Sequence, residues 1–129
     1  MLTTSAYGLA ILLDVFIIII GVRFLLVPHA AAAGYGVPAK KGVPAKKDGD
    51  AAYLTIKGLR HSSYGILGLA LLAFAGARAE AWFMLIVALA PLGDTAIVLR
   101  HAGTKATAFG IHFATAVIVL INAALLFAI

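Results

Sequence analysis

Four stretches of this chain, at about 6–27, 60–77, 81–99 and 108–129, are nearly free of charge, and each is long enough for a helix to cross a bilayer, which takes about 20 apolar residues. Backbone N–H and C=O groups in lipid must pair within their own segment. Even the β-branched run Ile17, Ile18, Ile19 and Ile20 is therefore expected to be helical. A membrane-spanning strand would need about ten residues of strict alternation, and no such pattern occurs. The chain is 64% hydrophobic and 12% charged, whereas a soluble domain is about half apolar and about a quarter charged. A chain of 129 residues cannot hide that much apolar surface in one aqueous core, because small domains keep much of their surface wet. With no cysteine, disulfide frameworks and thiolate metal sites are excluded. The expectation is an all-α integral membrane four-helix bundle forming a single domain over 1–129.

The apolar run behind the N-terminus is too long for a signal-peptide core and lacks a positive start, so it reads as a permanent span. Residues 76–80 read as a tight turn joining the second and third helices. The loop 28–59 is long, and the hexapeptide Gly-Val-Pro-Ala-Lys-Lys occupies 36–41 and again 42–47. That composition suits a solvated loop, with lipid headgroups as an alternative partner for its lysines. Arg23, Lys40, Lys41, Lys46, Lys47, Lys57, Arg60, Arg100 and Lys105 fall on the loop side, and only Arg78 on the other. The excess of cations predicts cytoplasmic loops 28–59 and 100–107, extracytoplasmic termini and insertion in the inner membrane. The net charge of +5 then points to headgroups rather than nucleic acid.

Ionisable residues inside a bilayer usually face a bundle interior and find a partner. Asp94 lies five residues before the end of the third span, about 7.5 Å inside. Arg60, His61 and Tyr64 open the second span, His112 lies in the first turns of the fourth, and Arg23 and Arg100 close the first and third. These residues predict a polar ligand site in the cytoplasmic half. Asp94 and His61 are the candidate catalytic groups, and Asp94 is expected to be held by an arginine, Arg60 or Arg100. Asp14 stands apart near the middle of the first span and is the candidate for proton coupling.

Other signals are structural. Gly65 and Gly68 allow close helix approach. Pro91 can kink the third helix, and Asn122 is expected to bond between helices. The four histidines lack a close ligand pair, so neither a metal nor another cofactor is expected.

Several phrases also occur in a telling order: Gly21-Val-Arg-Phe-Leu-Leu-Val-Pro28, Gly34-Tyr-Gly-Val-Pro38, Tyr53-Leu-Thr-Ile-Lys-Gly-Leu-Arg60, Pro91-Leu-Gly-Asp94-Thr-Ala-Ile-Val-Leu99 and His112-Phe-Ala-Thr-Ala116. From about residue 11 onward the chain resembles the small four-span membrane proteins grouped as the domain-of-unknown-function family DUF4267. That resemblance implies the four-helix fold and a polar site at Arg60 and Asp94, and it implies no activity. The family pattern has an aspartate after Gly-Leu-Arg where this chain has His61, so no carboxylate role carries over there.

Three functional readings follow. The first is a cytoplasm-facing intramembrane pocket that binds, or transforms, a small amphiphilic or lipid-like molecule. In it, Asp94 and His61 handle protons and Arg60 fixes an oxygen. The second is a small proton-coupled transporter using Asp14. The third is a structural or accessory subunit. Expected partners are membrane lipids and either further copies of the chain or other subunits of a membrane complex.

Overall fold

The structure is a computed structural model that describes residues 1–37, 49–101 and 103–129. Among these the fold is all-α: α1 (Leu2–Leu26), α2 (Pro28–Tyr35), α3 (Gly49–Phe74), α4 (Ala77–Val87), α5 (Leu89–Arg100), α6 (Lys105–Thr107), a π-helical segment (Ala108–Phe113) and α7 (Ala114–Phe127). The repeat from position 38 onward lies outside the described residues. Three stretches are long and apolar enough to cross a membrane: Leu2–Leu26, Ala77–Arg100 and Lys105–Phe127. With α3 they make four rods of an all-α membrane helical bundle.

The outside of the bundle is apolar. Leu12, Phe16, Ile66, Ile86, Leu89 and Ile121 are all exposed, a continuous greasy surface that a water-soluble monomer does not carry. Inside, small residues let the helices approach closely. Ala6 and Ala10 of α1, Leu72 of α3, Ala81, Met84 and Ala88 of the third rod, and Ala123 and Leu126 of α7 form one buried cluster. Phe24, Ala31 and Ala32 form a second, beneath α2.

The tightest seam is between α1 and α3, which run antiparallel. Gly21 faces Ser62, Gly58 faces the Gly21 carbonyl, and Gly65 and Gly68 face Asp14. A methyl group at any of these glycines would collide with the opposite helix, so this is the close approach expected of Gly65 and Gly68, extended along the interface.

Two features depart from the sequence expectation, and a third, a break near Pro91, follows it. The loop 28–59 contains α2 and the first turns of α3. Pro28 starts α2 at a position where the missing N–H costs nothing, and Gly36 ends it with φ 93°, a left-handed cap that favours glycine. The expected turn 76–80 is only Gly76, at φ 90°. Helix α4 restarts at once, which carries Glu80 onto a fully buried face. Finally, the third rod is interrupted at Ala88. Pro91 has no N–H for the Val87 carbonyl one turn earlier, and the threonine one turn later, Thr95, donates its hydroxyl to the Pro91 carbonyl at 2.8 Å.

Candidate functional site

Helix α2 delivers Tyr35 to the end of the bundle, where residues from four other elements meet it. The Tyr35 hydroxyl donates a short hydrogen bond to the Asp94 carboxylate on α5. Its backbone carbonyl accepts from His112 Nε2 at 2.8 Å, with the two rings 4.2 Å apart between centroids. The Lys57 ammonium lies 4.2 Å above the Tyr35 ring and 3.8 Å from the other Asp94 oxygen. Phe24 and His61 meet the ring edge-on at 5.5 and 6.2 Å. Burial pushes the Tyr35 phenol above its usual range, and the Asp94 charge beside it adds to the shift. Tyr35 thus acts as the donor to the Asp94 carboxylate, a charge-assisted bond of the stronger kind.

Backbone partners also fix the two histidines. His112 is buried and bonds a carbonyl, which only accepts, so its Nε2 carries the proton. His61 Nδ1 likewise donates to the Lys57 carbonyl at 2.9 Å. In the neutral ring the remaining nitrogen of His61, Nε2, is a lone-pair acceptor. Both oxygens of Asp94 are engaged, so the basic nitrogens of this cluster are His61 Nε2 and His112 Nδ1. The π-helical segment adds a residue to the turn that carries His112, a distortion common at functional sites.

Two compartments adjoin the cluster. The inner one, of about 110 Å³, is walled by apolar residues such as Leu13, Phe16, Ile17, Phe83, Met84 and Val119. It runs from Tyr35, His61, Asp94 and His112 at one end to Asp14 at the other. That volume is a few times the about 30 Å³ share of one liquid water. The outer one is a wider vestibule of about 420 Å³ lined by Tyr53, Ile56, Lys57, Arg60 and Ala90. His61, Tyr64, Ala90 and Asp94 line both and form the mouth between them.

The expected site residues therefore separate into two groups. His61, Tyr64, Asp94 and His112 come together, Arg60 faces the vestibule, and Asp14 ends the inner cavity. Arg23 and Arg100 are exposed and line neither compartment. The partner of Asp94 is Lys57 with Tyr35, rather than the expected arginine. Helical phase explains this. Lys57, His61 and Tyr64 follow the i, i+4, i+7 stripe of α3, and Arg60, about 60° around the helix from Lys57, edges that stripe on the vestibule side. Arg100 lies six residues beyond Asp94, about 120° around α5 at 3.6 residues per turn. In the sequence Lys57 bears only on membrane orientation, and Tyr35 falls within the expected loop 28–59. The pair Pro28 and Gly36, bracketing an alanine-rich octapeptide, was the signal for the helix that places Tyr35.

An apolar helical bundle with a polar mouth and an internal cavity defines the class: a membrane protein built of transmembrane helices. The pattern of the family described as Domain of unknown function (DUF4267) matches residues 15–126, and the chain belongs to that family. The matched segment holds every residue of the Tyr35 cluster and stops one residue short of Asp14. No curated protein and no solved structure shows significant similarity to the chain.

Proposed function

We propose that this protein binds a small amphiphilic or lipid-like molecule in the inner cavity, with the ligand's apolar body against Phe16, Ile17, Phe83 and Val119. The observation that carries this reading is the cavity itself: an almost wholly apolar space with Tyr35, His61 and Asp94 at one end. Apolar pockets with a few convergent polar groups are the usual form of small-molecule sites. Arg60 and Lys57 in the vestibule suit an oxygen-bearing group, and His61 is the group suited to accept or return a proton. Transport driven through Asp14 is the second reading, supported by Asp14 lining the same cavity.

The test is to fill the space. Val87→Phe adds bulk to the cavity wall at a half-buried position. Small molecules extracted from the wild-type protein in native lipid patches should include one that is absent from Val87→Phe. Identical extracts from the two proteins would contradict the reading.

The same proposal includes four crossings in the inner membrane. In it α3 is the fourth span alongside α1, and the cation-rich end with the vestibule faces the cytoplasm. A reporter active only in the cytoplasm, fused after Ile129, should be silent. Full activity of that fusion would reverse the topology. Surrounding lipids, together with other copies of the chain or subunits of a membrane complex, would cover the apolar exterior.

A further inference from the structure

The inner end of the cavity holds a carboxyl group, Asp14, that the mouth cluster does not use, and a second, Glu80, is buried on α4. Asp14 is 2% exposed and Glu80 is 0% exposed. Asp14 Oδ2 and both Glu80 carboxylate oxygens are buried without a hydrogen-bond partner. Glu80 lies on α4, whose Ala81 and Met84 pack in one buried cluster with Ala6 and Ala10 of α1. Behind them Asn122 of α7, also fully buried, gives its amide N–H to Met84 Sδ at 3.7 Å and leaves its own oxygen unpartnered. An unpaired buried carboxylate is costly, and either a bound proton or a cationic partner relieves that cost. Among the described residues no lysine or arginine lines this cavity, and Lys57 is held at the far end by Asp94.

The seat is built rather than accidental. Gly68 leaves α3 without a side chain where the Asp14 carboxylate lies, and a Cβ there would overlap it. The remaining titratable groups along the cavity are His61 and Tyr64 of α3, Tyr35 of α2, Asp94 of α5 and His112, all toward the mouth. Between them and Asp14 the walls are hydrocarbon and aromatic.

We propose that Asp14, backed by Glu80, is the seat for the cationic end of an amine-bearing amphiphile whose chain lies along the apolar wall. This rests on the cavity being a ligand site and adds the charge of the ligand. A hydrated inorganic ion would meet no polar wall along the way. An alkylammonium instead brings N–H donors for Asp14 and a chain for Leu13, Ile17 and Val119. From Asp14 to Ile20 the lined part of α1 covers about 9 Å at 1.5 Å per residue, which matches an extended six-carbon chain.

The test uses the full chain in nanodiscs of neutral phosphatidylcholine. Hexylamine, hexanol and hexanoate are titrated calorimetrically, with empty nanodiscs as the blank. Hexylamine should bind more tightly than hexanol by about tenfold or more, the scale of one charge-assisted hydrogen bond, and hexanoate should be weakest. Asp14→Asn should abolish the preference for hexylamine while hexanol binding stays. The wild-type ranking decides the matter even if that variant fails to fold. Hexanol or hexanoate binding as well as hexylamine would keep the cavity as a ligand site and overturn its cation preference. No probe binding above the blank would overturn both.

Discussion

Gly65→Val should destabilise the bundle by about 3 kcal/mol, the upper end of what overpacking a well-filled interface usually costs. A Cβ at Gly65 overlaps the Asp14 carbonyl oxygen and comes within 2.7 Å of Ile17. Backbone cannot rotate out of the way as a flexible side chain can, so α1 and α3 must separate along the seam that Gly21, Gly58, Gly65 and Gly68 create. That separation would also shift Asp14 at the inner end of the cavity. Gly93→Ala is the matched control. Nothing lies within 4 Å of a Cβ there, and the helix should gain about 0.5–1 kcal/mol from losing a glycine. Unfolding in mixed micelles, followed by helical signal, measures both. Equal midpoints for Gly65→Val and wild type would show that the helices do not meet at this glycine.

The second large effect concerns the Tyr35–Asp94 bond. Tyr35→Phe removes the donor to Asp94 and leaves the Lys57 pair at 3.8 Å. Hydrogen bonds to charged groups are worth about 1.5–3 kcal/mol, and the side chain of Asp94 is only 18% exposed, so water replaces the lost bond poorly. Tyr35→Phe should cost that amount. Asp94→Asn should cost a similar amount, since it weakens the Tyr35 bond and removes the counter-charge of Lys57. Because both changes act on the Tyr35–Asp94 bond, the double variant should cost less than the sum of the two single changes, a departure from additivity. The measurement is a double-mutant cycle on the unfolding midpoint. Strict additivity would mean that Tyr35 and Asp94 act independently and that α2 is not fastened to α5 through them.

How much of this was legible in the sequence follows from range. Apolar length alone gives the helices, since a bilayer leaves the backbone few choices. The close approach at Gly65 and Gly68 and the break near Pro91 follow from local chemistry, and so does the depth of Asp94 in its helix. The partner of Asp94 does not, because it depends on the rotation of α3 about its axis and on a helix of eight residues. Short helices give weak periodic signals, so Tyr35 stayed hidden although Pro28 and Gly36 marked its helix. Glu80 was read as a turn residue because a charged side chain beside Arg78 looks like a solvated corner. The turn is completed at Gly76 alone, and the four residues of helix that follow rotate Glu80 inward toward Asp14.

The most direct test of the central claim is an experimental structure of the full chain in lipid, with the molecules extracted from the same preparation identified by mass. The account predicts non-protein density inside the cavity between Asp14 and Tyr35, matching an extracted amphiphile, with Asp94 still held by Tyr35 and Lys57. A bundle in which Phe16, Phe83 and Val119 close on one another and leave no space between Asp14 and Tyr35 would contradict it.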